Sequence, residues 1–313
     1  MAVSNEIEIL NSAFSGLGVD EKSMIAILGK WHPEHAKSFR KESEFFGEDD
    51  EHLFEICEPQ FVEYLDHEFR RLKSAVVLWT THEWERDARL IRNAVVDGPK
   101  SYNVITEIAC TRSSKALLGA RKAYHCLFDR SIEEDVALNV NGIPRKLLVA
   151  LVSSYRYEGP RVHEDAPKSE AKILYNAIRK VDGKSLIADE EVVRILSTRS
   201  KPHLRVVFKH FKEISSRNIE EAVSDPLLRD TLQCLSTPQT YFVRVLDAAM
   251  KPGADENTKE GLTRVVVTRA AVDVKLIGEE YRKQIGVTLT EKIEHVAKGN
   301  YKDFLLALLA RCY

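Results

Sequence analysis

The property that most restricts how this chain can fold is that it repeats itself. One apolar block occurs four times, as SMIAILGKW (23–31), NVITEIACTR (103–112), EVVRILSTR (191–199) and LTRVVVTR (262–269), and three of the four end in Thr-Arg. A second block follows each of these: SAVVLW (74–79), RKLLVALV (145–152), RDTLQCL (229–235) and KDFLLALL (302–309). From the second unit onward an amphipathic run stands between them, ARKAYHCLFDRSIEEDV (120–136), VFKHFKEISSRNIEEAV (207–223) and IGEEYRKQIGVTLTEKI (277–293). Ladders that agree in order specify one supersecondary unit used four times. The expected boundaries are 1–80, 81–155, 167–240 and 241–313. Apolar residues fall at helical spacing, as in Ile25 and Leu28 or Val193 and Leu196, and no long alternating run suggests a strand. The expected class is all-α. Asp20, Asp225 before Pro226 and Thr237 before Pro238 have the chemistry of helix starts. The segment SSYRYEGPRVHEDAPKSE (153–170) is the least helical and reads as a linker between two halves.

Repetition alone specifies packing, so a helical scaffold that binds another protein is the plain reading. Charge narrows the alternatives. Lys and Arg number 46 against 48 Asp and Glu, a net charge of −2. Without a general positive field, no nucleic-acid partner is expected, and attachment to an anionic surface needs a local device or a bridging cation. The five cysteines, at 57, 110, 126, 234 and 312, are odd in number and form no CxxC pair, which suits a reducing compartment. The start, MAVSNEIEIL, has no basic segment followed by an apolar one, and no apolar run reaches the length of a membrane span. A cytoplasmic location is expected.

Just before the first block stands FSGLGVDEKS (14–23), a Gly-x-Gly turn that runs into a helix start at Asp20. Gly16 and Gly18 let the backbone take positive φ and turn carbonyl oxygens toward one point. Hard cations take such oxygens; Ca²⁺ takes six to eight, so a useful site would also recruit a carboxylate from elsewhere. With this loop, the four units and the blocks IACTR, RKAYH, SYRYEG, RILSTRS and GEEY, the whole chain resembles the annexin family, plant annexins in particular. The resemblance implies a curved disc of four repeats with about five helices each. It also implies Ca²⁺ as cofactor and Ca²⁺-dependent binding to anionic phospholipid, peripheral on membranes when calcium rises. In that family a competent repeat pairs its loop carbonyls with an acid roughly forty residues on. Carried over, the loop ligands are the carbonyls of Phe14, Gly16 and Gly18, with Val19 where Thr is usual. Counting from the loop points near Glu58, while counting back from the VVLWT block points to Glu68, with Glu63 second. The downstream anchor gives Glu68.

The other repeats depart from the pattern. Repeat 2 has VVDGPKSYN (95–103) at the loop and Asn139 at the acid position; repeat 3 has VDGKSLIADEE (181–191) and no acid partner. Repeat 4 has MKPGADE (250–256), in which Gly253 fits the second glycine, Val296 takes the acid position and Glu294 stands near it. One repeat is therefore expected to hold the ion well. Eleven acidic residues and no Lys or Arg lie between Glu42 and Glu68, a solvated face that would repel an anionic membrane. The string VDGKS lacks the first glycine of a phosphate-binding loop. Cys110 and Cys234 are candidate redox thiols, with buried packing as the plainer role. No HExxH or paired-His pattern marks a catalytic metal, so no enzyme is expected beyond a weak peroxidase-like or nucleotide-hydrolysing side activity. Trp31, Trp79 and Trp84 are expected to pack between helices. The alternative to a calcium bridge is a calcium-insensitive scaffold that self-associates or pairs with other annexins.

Overall fold

The computed structural model describes residues 2–31, 33–43, 46–49, 54–153, 155–162, 165–180 and 186–311. Repeat 1 holds α1 (Ala2–Phe14), α2 (Glu21–Leu28), α3 (Pro33–Glu42) and α4 (Pro59–Thr80). Repeat 2 holds α5 (Glu83–Asp97), α6 (Tyr102–Thr111), α7 (Ser114–Phe128), α8 (Ile132–Asn139) and α9 (Pro144–Ser153). Repeat 3 holds α10 (Ala166–Arg179), α11 (Glu190–Thr198), α12 (Lys201–Ser215), α13 (Ile219–Ala222) and α14 (Pro226–Ser236). Repeat 4 holds α15 (Pro238–Ala249), α16 (Glu256–Arg269), α17 (Val274–Ile285), α18 (Leu289–Val296) and α19 (Gly299–Ala310). The all-α class and the four repeats hold. Repeat 1 differs in detail: among the described residues it has four helices and an antiparallel hairpin, β1 (Phe46–Asp49) with β2 (Phe54–Cys57), Phe46 opposite Cys57. Strands of four residues are too short for alternation to show in the sequence.

Helix starts follow their chemistry. The Asp20 side chain accepts from Ser23 N at 3.2 Å and Asp225 from Leu228 N at 2.8 Å, each satisfying an orphan donor of a first turn. The recurrent Thr-Arg also has a physical reason. The fifth residue of each repeat's first helix is Glu6, Asp87, Glu170 or Phe242. Each meets the residue at the end of the first block. Arg112 Nε and Nη2 donate to the two oxygens of Asp87 at 2.7 and 2.8 Å, and Arg199 Nε donates to Glu170 at 2.7 Å. In repeat 4 the Arg269 guanidinium lies 4.9 Å from the Phe242 ring centre, and in repeat 1 the Trp31 indole donates to Glu6 at 3.2 Å. One cross-helix contact is thus made in four chemistries, two of them buried bidentate or clustered ion pairs that are costly to break.

Two compact units are present, one formed by Met1–Thr80 with Phe242–Tyr313 and the other by Thr81–Tyr241. Repeats 1 and 4 therefore share a unit, as do repeats 2 and 3. The segment read as a linker lies inside the second unit, and at Arg156 it is strapped to its neighbours. Arg156, buried, donates to the carbonyls of Leu196 and Arg199 at 2.5 and 2.7 Å, while its own carbonyl accepts from Ser114 Oγ at 2.8 Å. A cation at the carbonyl end of α11 complements that helix's dipole. Trp84 packs on Gly119 so closely that an added Cβ there would meet its ring. In repeat 1, Ile7, Leu10, Phe14, Val19, Ile27 and Phe39 form the core beneath the Gly-x-Gly turn.

Candidate metal centre

The turn between α1 and α2 is held from both sides. Gly16 and Gly18 sit at φ of 98° and 85°, where a side chain is strained. Space also demands glycine: a Cβ would come 2.8 Å from the Val296 carbonyl oxygen at position 16 and 2.9 Å from that of Lys298 at position 18. Between them Leu17 N donates to Val296 O at 2.9 Å, and Lys298 N donates to Leu17 O at 2.7 Å. The strap that grips the loop is thus the α18–α19 junction of the same compact unit. Asp20 N donates to Ala13 O at 3.0 Å and closes the turn.

A carboxylate arrives from α4. Glu68, 1% exposed, accepts from Gly18 N at 2.5 Å across fifty residues of sequence. Glu63 instead points outward, its side chain 75% exposed, with His67 Nε2 at 3.9 Å. Between Glu68 and the second choice, Glu63, it is Glu68 that bonds the loop. The same side chain is paired with Arg71, whose Nε and Nη2 reach its two oxygens at 2.6 and 2.8 Å, and Arg71 Nη2 reaches Glu256 at 2.6 Å. Burial works against the Arg71 charge, but the hydrogen bond and charge of Glu68, with Glu256, outweigh it and raise its pKa. Tyr64, one turn before Glu68, donates its hydroxyl to the Phe14 carbonyl and lies 3.4 Å from the Gly16 carbonyl. Burial, with the Glu68 charge, pushes the Tyr64 phenol up to about 12, so it remains a donor at neutral pH. Among the described residues nothing donates to the Gly18 carbonyl.

The donor set suits a hard cation: backbone carbonyls on a turn with a carboxylate at hydrogen-bonding distance from it. No group of three or more His, Cys, Asp or Glu gathers among the described residues, so any cation site here rests on carbonyls with a single acid. Sequence reasoning missed Tyr64, Arg71 and Glu256. Arg71 was visible as the second basic residue after the acidic run, three positions after Glu68 and so on the same helix face.

The remaining candidates are placed elsewhere. Asn139 Nδ2 donates to Asp135 O at 2.8 Å, within its own helix, and the repeat 2 loop is a short 3-10 turn at Pro99–Ser101. Of the repeat 3 loop, residues 181–185 lie outside the described residues, and so does VDGKS. Gly253 takes a φ of 75° with nothing within 4 Å of an added Cβ, and Glu294 is exposed on α18. Cys110 and Cys234 are buried in α6 and α14; burial pushes the Cys110 thiol up to about 11, although Arg156 and Lys201 pull the other way. Cys312 lies outside the described residues.

Four helical repeats, the first of which sets a Gly-x-Gly turn against a distant carboxylate, define a helical repeat protein. Comparison with known proteins agrees: the annexin family model matches residues 86–151, 169–230 and 241–308. The chain is 51% identical to Annexin D4 of Arabidopsis thaliana, covering 99% of each chain, and 41% identical to Annexin Gh1 of Gossypium hirsutum, covering 98% of this chain and 95% of that one. The solved structure of chicken annexin V superposes with a TM-score of 0.68 at 26% identity, over 98% of this chain and 95% of that one. The chain belongs to the annexin family, whose members are in general calcium-regulated, membrane-binding proteins. No helix among the described residues is long and apolar enough to cross a membrane.

Proposed function

We propose that this protein attaches peripherally to anionic phospholipid when calcium rises, chiefly through repeat 1. The carbonyls of Phe14, Gly16 and Gly18 and the carboxylate of Glu68 would hold Ca²⁺. When bound, the ion supplies a hard double charge that joins the loop to phosphate oxygens, which a chain of net charge −2 does not attract by itself. The single observation that carries this reading is the 2.5 Å contact between Gly18 N and Glu68, because it sets an acid from the far end of the repeat against the positive-φ turn. Gly16 and Gly18 shape the turn, the 296–298 strap fixes its height, and Glu68 brings the charge that carbonyls lack. Repeat 4, with Gly253 but Val296 at the acid position, would contribute weakly. The contacts of Tyr64 and Arg71 with these same ligands favour a second reading, a calcium-insensitive scaffold acting through self-association or other annexins.

Sedimentation with phosphatidylserine vesicles, with calcium and with chelator, tests the proposal, phosphatidylcholine vesicles being the control. Calcium-dependent pelleting with phosphatidylserine alone is the expected result. Equal pelleting in calcium and chelator would refute the bridge and leave the scaffold reading.

A further inference from the structure

We infer that Arg71 is a built-in cation that occupies the charge of the repeat 1 site until Ca²⁺ displaces it, and that Glu256 is the partner that receives it. The inference rests on the calcium-site reading above and concerns how that site is regulated. Three observations carry it. Arg71 is 5% exposed and covers both oxygens of Glu68, leaving that carboxylate neutralised and hydrogen-bonded without any metal. The Tyr64 hydroxyl donates to the Phe14 carbonyl and lies near that of Gly16, so a donor on α4 already satisfies one further ligand. Arg71 also bonds Glu256 at 2.6 Å, and that side chain is 36% exposed.

The third contact makes exchange feasible. A buried guanidinium stripped of its only carboxylate would be left uncompensated, which is strongly unfavourable. Glu256 removes that obstacle, because Arg71 keeps one carboxylate, nearer to solvent, when Glu68 turns to a metal. Glu256 begins α16, directly after the Gly253-Ala254-Asp255 turn, so the exchange ties the repeat 1 acid to the repeat 4 loop within one compact unit. Calcium affinity is then the difference between metal and guanidinium at Glu68, and a ligand shifts an equilibrium only by such a difference.

The test is calcium titration of the full chain by calorimetry, without lipid, on variants of opposite predicted sign. Arg71→Gln removes the competitor and should lower the calcium needed for half-saturation roughly tenfold, within the range usual for coupled sites. Tyr64→Phe removes only a hydroxyl and should lower it roughly threefold, and it serves if Arg71→Gln fails to fold. Glu256→Gln takes away the receiving partner and should raise the requirement roughly fivefold. Thermal unfolding adds a second readout: calcium should raise the melting temperature of Arg71→Gln more than that of the unaltered chain. If Glu68→Gln abolishes binding while these variants share the parent's half-saturation, the built-in cation is overturned and the site reading stands. If Glu68→Gln itself leaves binding intact, the site reading falls first.

Discussion

The loops that open repeats 1 and 2 occupy the same position in the repeat, yet the glycines of one are wedged and the glycine of the other stands in open space. In repeat 1 the turn is wedged against the 296–298 backbone, and neither glycine has room for a methyl group. In repeat 2 a single glycine, Gly98, leads into Pro99, and a Cβ added there would meet nothing within 4 Å. The acids diverge in step: Glu68 bonds the loop across the repeat, whereas Asn139 bonds its own helix. The difference teaches that a Gly-x-Gly turn keeps its shape through a wall that holds it as well as through glycines that permit it. Repeat 2 has instead put its buried charge into its core, where Asp135 is held by Arg92 at 2.5 Å, Tyr124 at 2.6 Å and Arg130 at 3.2 Å.

Breaking the cross-helix contact should show the contrast most strongly. Arg112→Ala in repeat 2 leaves Asp87 buried without its guanidinium and should cost about 3–5 kcal/mol. Trp31→Phe at the matching place in repeat 1 loses one indole hydrogen bond and should cost about 1 kcal/mol. Urea unfolding of the two variants measures both; equal losses would contradict the difference in strength between the ion pair and the indole hydrogen bond. Next in size is the glycine comparison. Gly16→Ala and Gly98→Ala each incur backbone strain of roughly 1–3 kcal/mol. Only Gly16→Ala adds a collision with the Val296 carbonyl, worth roughly a further 1–3 kcal/mol. Matching melting temperatures for the pair would contradict the wedge.

A smaller effect concerns acid. Burial pushes the Asp135 carboxyl up, but the hydrogen bonds from Tyr124 and Arg130 and the charge of Arg92 outweigh it and hold it below the usual carboxylate range. Because the folded value lies below the unfolded one of about 3.9, Asp135 stabilises the fold fully above that pH. The contribution is lost as pH falls through the folded value. Asp135→Asn should therefore flatten the fall of stability below about pH 4 relative to the parent chain, as read by denaturation across pH. The mildest probe perturbs nothing: a thiol reagent at neutral pH should label exposed Cys57 and Cys126 roughly a hundredfold faster than buried Cys110. Comparable rates would reopen a redox role.

Much of this was legible in the residues, for reasons that differ from part to part. The repeats could be read because every unit must bury the same helix faces, so Ile105 and Ile108 recur as Val192 and Ile195 or Leu262 and Val265. The Thr-Arg pair could be seen without its purpose, since its partner stands on another helix and changes from acid to ring between repeats. Glu68 was found by trusting a helix-packing block over the segment joining it to the loop, and that segment is where the hairpin lies. The strap between Arg156 and α11 was read as a linker because Pro and Gly mark the chain's course, not what it packs on. Tyr64 and Arg71 were hidden for a simpler reason. Competition for a ligand is a matter of distances, and spacing in the sequence shows only which face they share.

The most direct test of repeat 1 as the working site is the calcium isotherm of Glu68→Gln beside that of Glu294→Gln, both verified as folded by circular dichroism. The account predicts that the tightest binding event disappears in Glu68→Gln and survives in Glu294→Gln. An unchanged isotherm in Glu68→Gln, or its loss in Glu294→Gln alone, would contradict it.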